Sequence, residues 1–273
     1  MADLALPVLF TLFAWWFSTG VILYLDGLPP RTFPFTLQAA TVVLGAALYA
    51  LVHTRNDTSV AGAYCAFSCA LLVWAWQEIA FLLGVVTGPR RSACPPGATG
   101  WRRTGYAIQA VLYHELALIV LAIAVAACVG PGENRVGLWT FLALWGMRQS
   151  AKLNIFLGVR NIGEHFLPLH LRYMASYFRR APMNPLFPVS VTLATGAAVL
   201  VWWRLLDGPT NLATSAFDTA GLALVGSMLA LGALEHWLLV LPLPTDALWR
   251  WGMKSHTKTT AVAAPAPLPS EAG

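Results

Sequence analysis

Charged side chains are scarce in this sequence, since Asp, Glu, Lys and Arg make up only 11% of its 273 residues. A soluble domain carries roughly 25% charged residues, whereas 58% of this chain is hydrophobic. The shortage of charge argues against a soluble enzyme. It favours a chain that resides in the lipid bilayer.

Signals for nucleic-acid binding and for a disulfide framework are also missing. The formal net charge is +5, but there is no Lys-rich run, and the arginines lie between apolar stretches, as the positive-inside rule predicts. No nucleic-acid partner is therefore expected. The four cysteines contain no CxxC pair, and we interpret them as small buried residues.

Long apolar runs are abundant. A membrane-spanning helix needs about 20 mostly apolar residues, and the chain contains seven such runs, separated by turn-forming residues. They cover residues 4–25, 35–53, 60–86, 106–129, 136–156, 187–206 and 216–241. The predicted fold class is therefore all-α, a polytopic membrane bundle of about seven transmembrane helices. Tryptophans near the span ends, such as Trp15 and Trp249, are assigned to the aromatic belt.

The basic residues predict the orientation of the bundle. With the amino terminus in the periplasm and the carboxyl terminus in the cytoplasm, 14 of the Lys and Arg residues lie on the cytoplasmic side and 3 outside, as the positive-inside rule requires. Residues 1–254 are expected to form one transmembrane domain, and residues 255–273 a disordered Ala/Pro-rich tail. The connection 157–185 has the composition of a helix lying in the cytoplasmic interface, which Pro168 breaks or restarts.

Ionisable residues inside the predicted spans are the first candidates for a site, because such groups are costly in lipid and usually face the bundle interior. They are Glu78, His114, Glu115, Arg148, Lys152, Glu235 and His236. Four helices place these groups at one level, about 12 Å from the cytoplasmic ends of the spans at 1.5 Å per residue. Glu164, His165 and His170 follow in the interfacial segment.

Carboxylates and imidazoles at one depth suit iron, manganese or zinc. The predicted metal ligands are Glu78, His114, Glu115, Glu164, His170, Glu235 and His236. A proton relay or interhelical salt bridges would use the same groups. The His and Glu residues are sequence neighbours, unlike the Glu-x-x-His signature of di-iron bundles, so one of each pair is expected to face the site and the other its wall. Arg148 and Lys152 either hold propionates or phosphates, or pair with Glu115 or Glu235.

Two stretches carry a resemblance to a known family, WWFSTGVILYLDGLPPRTF (15–33) and RQSAKLNIFLGVRNIGEHFLPLHLRY (148–173). They resemble the photosynthetic complex assembly proteins of purple phototrophic bacteria, of the PuhE type, which are encoded near the gene for the reaction-centre H subunit. The resemblance extends over most of the chain, as far as LEHWLLVLPLP (234–244).

The resemblance implies a role in assembling reaction-centre and light-harvesting complexes and in bacteriochlorophyll supply, within an inner or intracytoplasmic membrane. The expected partners are the lipid bilayer and that assembly machinery. The ligand would be a tetrapyrrole or quinone-like amphiphile, and the cofactor either a (bacterio)chlorophyll or porphyrin, or iron or another transition metal. The alternatives are a di-iron-like oxidoreductase of pigment or quinone biosynthesis and a purely structural scaffold.

The family's polar pattern adds two asparagines to the candidate residues. With the basic residues they form the expected cofactor-binding set, Arg148, Lys152, Asn154, Arg160 and Asn161. In the binding interpretation the cations meet a propionate, and His114 or His236 ligates a central magnesium.

Overall fold

The computed structural model describes residues 2–206, 215–243 and 245–255. Seven long α-helices follow one another in this part of the chain. They are α1 (Ala2–Asp26), α2 (Phe33–Thr54), α3 (Val60–Leu82), α4 (Gly100–Val129), α5 (Val136–Leu157), α6 (Leu186–Leu206) and α7 (Ala216–Leu238). The all-α membrane bundle predicted from the sequence is confirmed.

Six of the described helices are long and apolar enough to cross a membrane, and α5 is the exception. Its 22 residues would extend about 33 Å at 1.5 Å per residue, so length is not the reason. Its second half contains Arg148, Gln149 and Lys152, which lower its apolar character. The apolar run at 136–156 predicted a seventh span here, whereas the helix that forms is less apolar than the other six.

The helices α3 and α7 form the centre of the bundle. Ala63, Ala66 and Ala70 on α3 and Ala220 on α7 are buried, and with Phe67 they belong to the main hydrophobic core. Small residues let helix backbones approach closely where there is no water to drive association. Gly137 on α5 illustrates this, because an added Cβ would lie 3.0 Å from the Ala66 carbonyl oxygen.

The connection 157–185 closes one end of the bundle. It forms 3-10 helices, Glu164–Phe166 and Leu169–Tyr177, instead of the interfacial helix, broken or restarted at Pro168, that its composition suggested. Pro168 directly precedes the second of these, as expected for a residue that begins a new helical segment. The side chain of Arg103 donates to the carbonyl oxygens of Phe156 (3.0 Å) and Tyr177 (2.6 Å), which fixes the connection against α4.

A strap at residues 245–255 packs across α1. Trp249 Nε1 donates to the Trp16 carbonyl oxygen at 3.0 Å, and Trp16 Nε1 donates to the Leu248 carbonyl oxygen at 2.9 Å. Gly252 lies so close to α1 that an added Cβ would be 2.4 Å from the Gly20 carbonyl oxygen. Of the predicted tail, only Ser255 falls within the described residues.

Candidate functional site

A cavity of about 860 Å³ lies in the half of the bundle that the 157–185 connection closes. Its walls come from α1, α3, α4, α5 and α7, with further residues from the connection and from the strap. Most of the lining side chains are apolar, and a few charged groups converge on the space. Ligand sites typically have volumes of roughly 300–1,000 Å³ and this same mixture of groups.

The first charged group on the wall is an ion pair between α3 and α5. Arg148 Nη2 donates to Glu78 Oε2 at 2.7 Å. The Glu78 side chain is 9% exposed, whereas that of Arg148 is 43% exposed. Glu78 Oε1 is buried and has no hydrogen-bond partner among the described residues. One oxygen of this carboxylate is therefore buried without a donor from the described residues.

The second charged group joins α4 to α5 one helical turn further along. Lys152 Nζ donates to Glu115 Oε1 at 2.7 Å, and Gln149 Nε2 donates to Glu115 Oε2. All three side chains line the cavity. Lys152 thus pairs with Glu115, which was one of its two predicted salt-bridge partners. Arg148 pairs with Glu78 instead of with Glu115 or Glu235.

Glu235 on α7 presents the third carboxylate. Trp15 Nε1 on α1 donates to Glu235 Oε1 at 2.7 Å, and both residues line the cavity. The ring of Trp249 packs edge-on against Trp15, with centroids 5.2 Å apart. The strap thus forms part of this cavity wall through Trp249.

Two of the predicted histidine ligands lie behind this wall. His114 Nδ1 is 2.7 Å from Gln77 Nε2, and the ring is buried against Phe81 with centroids 4.4 Å apart. The ring nitrogens of His236 lie 2.7 Å from the Gly232 carbonyl oxygen and 2.8 Å from Ser150 Oγ. Neither histidine lines the cavity, although Glu115 and Glu235 beside them do. In these two pairs one member faces the cavity and the other lies behind its wall, whereas Glu164 and His165 of the third pair both line the cavity.

The two predicted asparagines have different positions. Asn161 lines the cavity and donates to the Leu238 carbonyl oxygen at 2.8 Å, at the end of α7. Asn154 does not line the cavity but is buried between α5 and α6. There it donates to Ser190 Oγ at 2.9 Å and accepts from Asn184 at 3.0 Å.

The remaining candidates lie in the connection. Arg160 lines the cavity and is exposed, and it forms no salt bridge with any described residue. Glu164 pairs with Arg180 at 3.0 Å. His170 Nε2 lies 2.8 Å from the Leu82 carbonyl oxygen, away from the cavity lining. Burial raises the pKa of the nearby Tyr173 hydroxyl.

The predicted metal ligands do not converge on one point. Across residues 2–206, 215–243 and 245–255, no three His, Cys, Asp or Glu side chains are placed to hold a metal ion together. The cavity carboxylates Glu78, Glu115 and Glu235 each have a separate donor. This donor set does not fit a di-iron centre, which needs carboxylates and histidines on facing helices directed at one site.

Some cavity residues were not identified from the sequence. Gln149 is neutral, so a search for ionisable groups omits it, although it follows Arg148 and precedes Lys152 by less than one turn. Trp15 and Trp249 were assigned to the lipid interface. No local pattern distinguishes a tryptophan that faces headgroups from one that donates to a carboxylate 220 residues away.

The chain belongs to the family described as a protein of unknown function (DUF3623), which covers residues 1–260. It is similar to a protein of Rhodobacter capsulatus described as an uncharacterized 30.4 kDa protein in the puhA 5′ region. The two are 44% identical over 271 residues, which is 96% of each chain. No solved structure matches the chain.

Proposed function

We propose that this member of a family of unknown function holds an amphiphilic ligand in its intramembrane cavity and supports assembly of the bacterial photosynthetic apparatus. The observation that carries the proposal is the cavity of about 860 Å³ with its mainly apolar lining and ion-paired wall. A purely structural scaffold would not need such a space, because a bundle gains stability by filling its interior.

The photosynthetic part of the proposal rests on the relative. The Rhodobacter capsulatus protein is described by its position beside puhA, which links that protein to a photosynthesis gene cluster. Identity of 44% over nearly the full length of both chains supports a shared role. The finer assignment to the PuhE type, with reaction-centre or light-harvesting assembly factors as partners and bacteriochlorophyll supply as the process served, extends the proposal and rests on the sequence resemblance.

The ligand in this proposal is a tetrapyrrole or a quinone-like molecule with a polar end. Apolar side chains from five helices accept the ring or tail, and the basic residues meet an acidic or carbonyl group. Arg148 and Lys152 each hold a glutamate but keep further donors, and Arg160 has no salt-bridge partner among the described residues. Magnesium ligation by His114 or His236 is not part of the proposal, because both rings lie behind the wall.

The proposed topology has the amino terminus in the periplasm and the carboxyl terminus in the cytoplasm of an inner or intracytoplasmic membrane. The cavity then lies in the cytoplasmic half of the bundle. A ligand could reach it from the lipid or from a cytoplasmic enzyme, and the 157–185 connection would be the surface that partners meet.

The test is to fill the cavity and measure what the protein carries. Ala107 lines the cavity, so Ala107→Trp should occupy part of the space. Ala46 is exposed on α2 and is not among the lining residues, so Ala46→Trp is the matched control. Each full-length variant is purified gently from its own photosynthetic membranes, and its absorption spectrum, extracted lipids and metal content are measured together with the yield of photosynthetic complexes.

We expect pigment or a quinone-like molecule to accompany the wild-type protein and the control. Ala107→Trp should reduce both the bound ligand and the complex yield. A wild-type protein that carries no such molecule, together with a normal complex yield in Ala107→Trp, would refute the proposal. Stoichiometric iron without pigment would instead favour the oxidoreductase alternative.

A further inference from the structure

Two segments at the same end of the bundle are unusually basic. Residues 88–106 and 157–185 contain eight arginines and only one acidic residue, Glu164. The arginines are Arg90, Arg91, Arg102, Arg103, Arg160, Arg172, Arg179 and Arg180. The positive-inside rule accounts for basic residues on this side but not for their arrangement in the folded chain.

Hydrogen bonds join the two segments into one surface. Arg90 Nε donates to the Tyr177 hydroxyl at 2.7 Å, and the backbone N–H of Cys94 donates to Ser176 Oγ at 2.8 Å. Arg103 reaches the Tyr177 carbonyl oxygen. We call residues 90–103 and 169–180 the basic platform. These bonds hold the two segments together and so bring their arginines onto one surface.

Several cations of the basic platform are not neutralised within the described chain. Arg91, Arg102 and Arg172 are exposed and form none of the salt bridges found among the described residues. Beside them, Trp101 is 90% exposed at the start of α4. A large aromatic ring in that position is expected at headgroup depth, where tryptophan is enriched in membrane proteins.

We propose that the basic platform selectively binds the headgroups of anionic phospholipids, with Arg91, Arg102 and Arg172 contacting phosphate oxygens and Trp101 inserted beside them. Guanidinium groups match phosphate geometry with paired donors. An acidic protein surface would also complement the charge. The position of Trp101 in the first turn of a spanning helix places these arginines in the lipid headgroup layer, which favours a lipid as the occupant.

The test compares spin-labelled phosphatidylglycerol with spin-labelled phosphatidylcholine around the full-length protein in phosphatidylcholine vesicles. The triple variant Arg91→Gln/Arg102→Gln/Arg172→Gln is compared with Arg55→Gln/Arg135→Gln, whose exposed arginines lie at the other end of the bundle. All five side chains are exposed, so neither variant should lower the melting temperature.

We expect the wild type and the control to prefer phosphatidylglycerol, and the preference to weaken as salt is added. In the triple variant, the preference for phosphatidylglycerol over phosphatidylcholine should fall at least about fivefold, which is the factor that one arginine near an anionic surface contributes. Equal association of both lipids with the wild type would overturn the proposal. So would an unchanged preference in the triple variant, because residues other than these three arginines would then hold the lipid. Neither lipid is the cavity ligand, so failure here is distinguishable from failure of the proposed function.

Discussion

The ion pair between Glu78 and Arg148 should respond unequally to the loss of its two members. Arg148→Gln leaves a carboxylate that is only 9% exposed without its cation. Breaking a fully buried pair costs about 3–5 kcal/mol. Because the Arg148 side chain is 43% exposed, solvent screening reduces the expected loss in unfolding free energy to about 2–3 kcal/mol.

Glu78→Gln is expected to be milder. The amide keeps an oxygen that can accept from Arg148, and the stranded guanidinium is the more exposed partner, so we expect a loss of about 1 kcal/mol. The double variant Glu78→Gln/Arg148→Gln contains no unpaired charge. It should be less destabilised than the sum of the single changes by about 1–2 kcal/mol.

The measurement is denaturant unfolding in mixed micelles, followed by tryptophan fluorescence, with the exposed Arg204→Gln as the control. Losses that add to within about 0.5 kcal/mol would show that the two side chains do not couple and would refute this reasoning. The yield of photosynthetic complexes separates structure from function. If the second change restores the yield that Glu78→Gln removes, Glu78 has only a structural role. A stable double variant that stays inactive would support a role in the site.

The strap, the tail and the topology give three further predictions. Gly252→Ala should weaken the packing free energy of the strap on α1 by about 1–3 kcal/mol, because the added methyl group overpacks the contact, and proteolysis of the strap should become faster. The control Gly45→Ala adds a methyl group that meets nothing within 4 Å, so it should not change proteolysis. Equal proteolysis of the two variants would refute the close approach. Deletion from Ala261 onward should leave complex yield unchanged, and a sharp fall at constant protein level would reveal a docking element. A reporter active only in the periplasm should be silent after Lys258 and active within 130–134, and the reverse result would invert the orientation.

The helices were largely predictable because six of the seven described helices are long apolar runs. The second run was predicted at 35–53 and the helix covers Phe33–Thr54. The fourth begins at Gly100 instead of 106, because its first turn continues into the interface through Trp101 and two arginines. Apolarity marks where lipid begins, whereas backbone hydrogen bonding decides where the helix begins.

The level of the charged residues could also be predicted, but their partners could not. Counting residues along each span placed Glu78, His114, Arg148 and Glu235 at one depth. Glu78, Arg148 and Glu235 line the same cavity, whereas His114 lies behind its wall. Which cation meets which carboxylate depends on the rotation of each helix about its axis, which packing sets. Helix composition likewise could not show that the 157–185 connection would fold as 3-10 segments.

The polar face of α5 has a consequence for how the protein is made. Arg148 and Lys152 each raise the free energy of inserting this helix, by up to about 2.5–3.5 kcal/mol for a residue at mid-membrane. Their carboxylate partners lie on α3 and α4, which leave the ribosome earlier. Insertion of α5 should therefore depend on those helices still being beside the translocon when it arrives. Removing Glu78 or Glu115 could then lower the amount of correctly inserted protein before any ligand is involved.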